Sequence, residues 1–116
     1  MEKTLSLEVL QEGDTGVLVA NGYINNMGGE QIAAACDDLM EKNVNRFAFD
    51  LEQCRIVNSI GISILIEVIE KVVESGGKVL FCVVSPTISK TFRIMGLLQV
   101  SGICDTRDEA LQQLSG

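Results

Sequence analysis

A strand, a helix and a second strand follow one another without interruption in the middle of this chain. Residues Arg46 to Leu51 are largely apolar and aromatic, as in a strand that is buried on both faces. A helical pattern from about Ile60 to Glu74 ends in Ser75-Gly76-Gly77, and Lys78 to Val84 is again strand-like. Two strands joined in this way lie parallel in one sheet, with a right-handed crossover. The unit therefore predicts an α/β fold whose sheet is at least partly parallel.

The segment before this unit predicts two strands and a helix. Apolar and polar residues alternate in residues 5–9, a turn-like stretch occupies residues 12–16, and a second apolar run covers Val17 to Ala20. This pattern is typical of a β-hairpin. From Gly28 to Lys42 the apolar residues recur at the spacing of one helical face, and Asn43 is the predicted stop.

The segment after the unit predicts a helix, a short strand and a terminal helix. Pro86 suits the first turn of a helix and Gly96 suits its exit. A short strand is predicted near Val100 to Cys104, and Thr106 to Glu109 has capping-box spacing ahead of a final helix. The complete order is β-β-α-β-α-β-α-β-α, an α/β layer with a mixed sheet. We expect a single domain over residues 1–116, because this length suffices for one ordinary domain.

The charge of the chain limits the classes of partner. It has 9 Lys and Arg against 16 Asp and Glu, a formal net charge of −7. Such a chain repels phosphate backbones and anionic lipids, so we expect neither nucleic acid nor a membrane as a direct partner. No apolar run approaches the ~20 residues of a spanning helix, and Met1-Glu2-Lys3 leads into alternation rather than a signal-peptide core. We therefore predict a soluble, cytoplasmic protein.

The absence of histidine argues against most enzymatic functions. It removes the usual general base and the commonest nitrogen ligand of metals. The four cysteines are widely spaced, with no C-x-x-C pair, and we interpret them as reduced, mostly buried thiols. The glycine pairs have neither P-loop nor dinucleotide-binding spacing. We expect no catalysis, no metal and no cofactor.

Ser59 lies between the predicted strand and helix of the central unit. A hydroxyl at this point would lie at the positive end of the helix, where a phosphate is tolerated. Phosphorylation would add about −1.5 to −2 charges at pH 7. The alternative is a helix cap, because Asn and Ser are both preferred N-cap residues and either Asn58 or Ser59 fits. The residues alone leave both interpretations open.

The helix after Ser59 has more apolar surface than a sheet can cover. Its apolar residues span an arc of more than ~200°, whereas a helix on a sheet needs a stripe of ~100° or somewhat more. The surplus is roughly Ile60, Ile64 and Val68. These side chains must meet either a neighbouring helix or a partner protein.

Two other features have competing interpretations. Asp50, near a predicted strand end, raises the alternative of a receiver domain, but such a site needs a further acidic pair and a lysine. Asp14 stands alone and no lysine closely follows the later strands, so we do not favour it. The loop from Asn21 to Asn26 has the composition of an ordinary turn. In an α/β layer it can lie near the Ser59 loop.

Three short motifs occur at Gly22-Tyr23-Ile24-Asn25, Asn58-Ser59-Ile60-Gly61 and Ile94-Met95-Gly96-Leu97. Together they resemble the STAS domain of bacterial anti-sigma-factor antagonists. Asn58-Ser59-Ile60-Gly61 looks like the family's D-S-x-G motif, preceded by Phe47 to Leu51 and followed by Gly77-Lys78-Val79-Leu80. Gly22-Tyr23-Ile24-Asn25 looks like the G-x-[LI]-D loop, and Ile94-Met95-Gly96-Leu97 like the late I-x-G-L turn. The likeness runs nearly end to end, and each motif alone is weak.

The resemblance implies a small mixed sheet with helices mainly on one face, and a switch at Ser59. In the family the serine is phosphorylated by a partner anti-sigma factor that is a serine kinase. The unphosphorylated form binds that factor and frees the sigma factor, and a phosphatase resets the switch. For a switch of this kind we expect a monomer or weak dimer. The predicted partner-binding residues are Asn25, Asn26, Asn58, Ser59, Ile60, Gly61, Ile64 and Val68.

The sequence departs from the family pattern at two positions. Asn58 stands where Asp is commoner before the serine, and Asn25 stands where Asp is commoner in the earlier loop. Asn keeps the capping geometry and loses the charge.

An alternative function is a scaffold subunit of a larger signalling assembly, in which self-association matters more than Ser59.

Overall fold

Within residues 5–115, which the computed structural model describes, five strands form one sheet. Residues 1–4 and 116, including the segment Met1-Glu2-Lys3 considered above, lie outside the described part. The spatial order of the strands follows the chain order. The first two strands are antiparallel and all later neighbours are parallel. The strands are β1 (Leu5–Glu12), β2 (Thr15–Ile24), β3 (Arg46–Val57), β4 (Lys78–Cys82) and β5 (Gly102–Cys104).

Three helices cover one face of the sheet and the last helix covers the other. Each of the first three connects two parallel strands, and the strands advance in one direction across the sheet. Right-handed crossovers in a constant direction place their helices on the same face. The last helix follows β5 and connects no further strand of the described chain. The helices are α1 (Asn26–Glu41), α2 (Ser59–Glu74), α3 (Pro86–Ile94) and α4 (Arg107–Ser115), with a 3-10 turn at Leu97–Gln99.

The predicted order of elements and the mixed sheet are confirmed, with differences at the strand ends. The second and third strands are longer than predicted, and β3 continues to Val57, directly before the Ser59 loop. The fourth strand is shorter than predicted, because Val83 has a φ of 55° and leaves the extended conformation. The predicted stop at Asn43 is confirmed, since its φ of 68° ends α1 in the left-handed region.

The larger core lies between the sheet and helices α1 to α3. Its centre is a row of four buried aromatic rings, Phe47, Phe49, Phe81 and Phe92, whose successive centroids lie 6.4, 5.3 and 4.9 Å apart. Strand alternation turns the intervening residues to the opposite face, where a smaller apolar cluster packs under α4. The two clusters account for burial on both faces of the parallel strands.

An ion pair under α4 ties that helix to the middle of the sheet. Asp50 is 4% exposed, and its Oδ2 accepts hydrogen bonds from Arg107 Nη2 at 2.8 Å and Nε at 3.0 Å. The Asp50 Oδ1 accepts the Glu52 N–H at 3.0 Å. At the other end of α4, Arg46 donates to the Leu114 carbonyl. Asp50 is therefore a buried structural carboxylate, and it lies within β3 rather than at a strand end.

The four cysteines are free and buried, as predicted. Burial raises the pKa of the Cys36 thiol from 9.0 to about 12, with the neighbouring Asp37 carboxylate adding to the effect. Burial also raises the pKa of Cys82 to about 12. Both thiols therefore stay protonated in the folded protein at pH values where they ionise in the unfolded chain.

This difference in pKa predicts a loss of stability in alkaline solution. Above about pH 9 the unfolded thiols release protons that the folded protein retains, so unfolding is favoured increasingly up to about pH 12. At about pH 10, the Cys36 thiol should cost on the order of 1 kcal/mol. Urea unfolding at several pH values should show a shallower alkaline decline for Cys36→Ala than for the parent. Equal slopes would contradict the prediction.

None of the helices formed by residues 5–115 has the length and apolar character needed to cross a lipid bilayer.

Candidate functional site

The loops that follow β2 and β3 lie side by side at the carboxyl edge of the sheet. Ile24 and Val57, the last residues of the two strands, are partners in the parallel register. The next residues are Asn25 and Asn58, so both asparagines begin a loop at the same edge. The Asn58 N–H donates to the Ile24 carbonyl at 3.1 Å and joins the loops directly. The two loops therefore lie next to each other, an arrangement that the sequence analysis had considered.

Each asparagine caps the helix that follows it. The Asn58 Oδ1 accepts the Gly61 N–H at 2.7 Å at the start of α2. The Asn25 Oδ1 accepts the Gly28 N–H at 2.9 Å at the start of α1. Both asparagines have extended backbone conformations, as N-cap residues do. Of the two candidates for the cap of α2, the structure assigns the role to Asn58.

Ser59 is therefore the first residue of α2, and its side chain is exposed. Among residues 5–115 no hydrogen bond involving the Ser59 hydroxyl is present. The Ser59 carbonyl accepts the Ser63 hydroxyl at 3.0 Å, one turn further along the helix. Backbone N–H groups in a first helical turn lack intrahelical acceptors and favour negative charge. The Ser59 oxygen is thus accessible, and the helix end beside it suits a phosphate.

Two glycines allow the helix starts to lie against β2. A Cβ on Gly61 would lie 2.2 Å from the Ile24 carbonyl oxygen, and one on Gly28 would lie 2.6 Å from the Tyr23 carbonyl oxygen. Such distances are far below van der Waals contact, so both positions require glycine. Gly61 is buried by this contact. Its close approach to β2 therefore brings Asn58 and Ser59 near the neighbouring loop.

The three surplus apolar residues of α2 have different surroundings. Val68 is 7% exposed and belongs to the core. Ile64 is half-buried against α1, where a Cβ on Gly29 would lie 3.0 Å from the Ile64 Cβ. Ile60 is 57% exposed. Packing within the domain therefore covers Val68 and part of Ile64, and Ile60 is the most exposed of the three.

Three further exposed apolar residues each lie two residues along the chain from a capping asparagine, and the sequence reasoning did not find them. Tyr23 and Ile56 are neighbours in the register of β2 and β3, and Met27 lies in the first turn of α1 beside the exposed Asn26. Their exposed fractions are 44%, 56% and 58%. With Ile60 they make up half of the eight large apolar side chains exposed in residues 5–115. The sequence signal that could have revealed Ile56 is the strand pattern, which continues beyond Leu51.

The capping assignment predicts a difference in stability between neighbouring variants. Replacing Asn58 by Ala removes the acceptor of the Gly61 N–H and should cost about 1 kcal/mol. Asn58→Asp keeps an acceptor and should retain most of that stability. Ser59→Ala removes an exposed hydroxyl and should change it by less than about 0.5 kcal/mol. Urea unfolding measures all three; an equal loss for Asn58→Ala and Ser59→Ala would refute the assignment.

The element order, the sheet and the pair of capped loops define a STAS domain. The STAS domain family model matches residues 6–110, and the chain belongs to this family. BtrV of Bordetella bronchiseptica, which is named as an anti-sigma factor antagonist, is 25% identical over 97 residues, which cover 82% of this chain and 84% of BtrV.

Two solved structures show the same fold. The crystal structure of TM1081 from Thermotoga maritima superposes with a TM-score of 0.85 at 16% identity, covering 95% of each chain. The Bacillus cell fate determinant SpoIIAA in its phosphorylated form superposes with a TM-score of 0.72 at 22% identity, covering 94% of this chain and 97% of SpoIIAA. SpoIIAA has also been solved, as an anti-sigma factor antagonist, in its unphosphorylated form.

Proposed function

We propose that this protein is an anti-sigma factor antagonist that is switched by phosphorylation of Ser59. In the unphosphorylated state it binds an anti-sigma factor that is a serine kinase, and a sigma factor is freed for transcription. The kinase then modifies Ser59 and the complex dissociates; a phosphatase restores the binding form. The observation that carries the proposal is the exposed Ser59 hydroxyl at the start of α2, left without a capping role because Asn58 provides the cap.

The local electrostatics explain why such a phosphate would act on a partner and leave the fold intact. At the first position of α2 the added dianion lies near unpaired N–H groups and the positive end of the helix dipole. Its solvation and its interactions with the helix are therefore favourable in the free protein. A partner pressed over Ser59 would have to strip water from about −1.5 to −2 charges beside the apolar Ile60. Phosphorylation would therefore destabilise the complex and not the free protein.

The proposed partner surface has a polar centre and an apolar surround. Asn25, Asn26, Asn58 and Ser59 form the centre, and both loops present these residues at one edge of the sheet. The surround is formed by the exposed side chains of Tyr23, Met27, Ile56 and Ile60. Exposed apolar residues gathered around polar groups are typical of a docking surface.

The phosphorylation step is tested by incubating the protein with its cognate kinase and ATP and mapping phosphate by mass spectrometry. We expect a single phosphate on Ser59 in the parent and none in Ser59→Ala. Ser63→Ala is the matched control, since Ser63 is also exposed and lies one turn away. This control should be modified as the parent is. Phosphate at another residue while Ser59 stays unmodified would reject the proposal.

In this proposal the protein acts in the cytoplasm as a monomer or weak dimer. Size-exclusion chromatography with light scattering distinguishes it from a scaffold subunit. A large oligomer that persists on dilution would favour the scaffold function instead.

A further inference from the structure

Two of the four cysteines are direct neighbours at the end of the parallel strands. Cys82 is the last residue of β4 and Cys104 is the last residue of β5, and the two are partners in the register. Both side chains belong to the small apolar cluster under α4. Neighbouring strands lie about 4.8 Å apart, which is within the roughly 4.4–6.8 Å that a disulfide requires between its Cα atoms. Cys82 and Cys104 are far apart in the sequence, so the sequence alone does not show that they are neighbours.

The remaining cysteines have different surroundings. Cys36 in α1 and Cys54 in β3 both belong to the larger core on the opposite face of the sheet. The sheet itself therefore separates them from Cys82 and Cys104. Any native intramolecular oxidation at the α4 face should involve the pair of strand-end thiols.

The two thiols differ in their access to small molecules. Cys104 lies in the wall of an open cleft of about 330 Å³, together with Glu52, Ser85 and Asp105. Cys82 is fully buried behind it. Burial raises the pKa of Cys104, as do the nearby carboxylates of Glu109 and Asp105. Both thiols are therefore mainly protonated near neutral pH, and reaction without a strong oxidant should be slow.

The backbone at this point can follow a change in the separation of the strands. β5 is a short edge strand of three residues, held on one side only among the described residues. Val83 directly follows Cys82 with a positive φ, and its N–H donates to the Cys104 carbonyl at 3.3 Å. A small inward shift of β5 would shorten the distance between the two sulfur atoms without moving the central strands.

We propose that Cys82 and Cys104 form an oxidisable dithiol site that a hydroperoxide converts into a cross-strand disulfide. The Cys104 thiol loses its proton to water and the resulting thiolate attacks one peroxide oxygen. The O–O bond breaks, Cys104 becomes a sulfenic acid, and the leaving oxygen takes up a proton and is released as water or an alcohol. The Cys82 thiol then loses its proton and attacks the Cys104 sulfur, and the S–S bond forms as the S–O bond breaks and the leaving hydroxide takes up a proton to become water. Two thiols are oxidised and one peroxide is reduced, and a small dithiol reverses the step.

The closed bond would join β5 to β4 at the carboxyl edge of the sheet. It would also restrain the start of α4, because Arg107 begins that helix three residues after Cys104. The site is separate from Ser59, which follows β3 at the start of α2. Oxidation and phosphorylation can therefore be measured separately on the same chain.

The test is to treat the folded protein with millimolar hydrogen peroxide and then block the remaining thiols with an alkylating reagent. Peptide mapping without reduction, together with intact mass, locates any disulfide. The parent should lose two of its four free thiols and yield a linked Cys82–Cys104 peptide. The Cys36→Ala/Cys54→Ala double variant should give the same link. Cys82→Ala and Cys104→Ala should each give none, with circular dichroism confirming that they fold.

Three results would overturn the proposal. The first is survival of all four thiols in the folded protein under conditions that form the link in urea. The second is a disulfide that involves Cys36 or Cys54. The third is conversion of Cys104 to a sulfinic or sulfonic acid while Cys82 remains a free thiol, because this would show that the Cys82 sulfur cannot reach its neighbour.

Discussion

Ser59→Asp should bind the anti-sigma factor much more weakly than the parent protein does. A carboxylate at the first position of α2 would be buried against the partner, beside the exposed Ile60. Charge placed without a counter-ion in an interface costs about 2–3 kcal/mol, so the dissociation constant should rise roughly 30- to 160-fold. Isothermal titration calorimetry with the purified partner measures the change. The fold should persist, because a negative charge at a helix N-terminus is favourable.

The controls separate the charge from the shape of the side chain. Ser59→Asn introduces a neutral side chain with the size and form of Asp, and Ser59→Ala removes the hydroxyl. Both should stay within about tenfold of the parent affinity. Gln112→Glu adds the same charge on α4, at the opposite face of the sheet, and should have little effect. Equal affinities for Ser59→Asp and Ser59→Asn would show that charge at this position does not control binding.

Arg107→Met should strongly destabilise the folded protein. It leaves the Asp50 carboxylate, 4% exposed, without its two hydrogen bonds from the guanidinium. Removing one partner of a buried pair costs about 3–5 kcal/mol. The Arg107 side chain is 38% exposed, so water screens part of the interaction, and we expect about 2–3 kcal/mol. Urea unfolding measures the difference.

The matched control is the ion pair between Lys71 and Asp37, which joins the outer faces of α1 and α2. Its side chains are 62% and 52% exposed, although the 2.7 Å contact is as short as that of Arg107. Lys71→Met should cost much less stability than Arg107→Met, because water screens this exposed pair. Asp50→Asn in the Arg107→Met background should recover stability, since a neutral amide replaces the unpaired carboxylate. Equal losses for the two methionine variants would contradict the role of burial.

Local patterns predicted the elements well because they arise between residues close in the chain. The apolar spacing of α1 and α2, the glycines after Glu74 and the proline that begins α3 all act within a turn or two. The errors lie at strand ends, where pairing with a neighbour decides the boundary. Thus β2 and β3 extend together to Ile24 and Val57 because each supplies the other's hydrogen bonds.

The candidate site was predicted partly from residues and partly from a family resemblance. The strand-to-helix position of Ser59 favoured a phosphate-tolerant site without excluding a cap, and the resemblance implied the switch. The assignment of the cap to Asn58 required coordinates, because Asn and Ser are both common in that role. The apolar surplus on α2 was also ambiguous until α1 was seen to cover Ile64 and the core to enclose Val68.

The sequence by itself determined the order of strands and helices, the turns and helix ends between them, and the strongly acidic character of the chain. Only the tertiary structure decided which distant residues meet. It places the loop of Asn25 beside that of Asn58, Arg107 on Asp50 across 57 positions, and Cys104 next to Cys82. The physical reason is that periodicity records which face of an element is buried, whereas sheet register, set by packing and hydrogen bonds between elements, selects the neighbours.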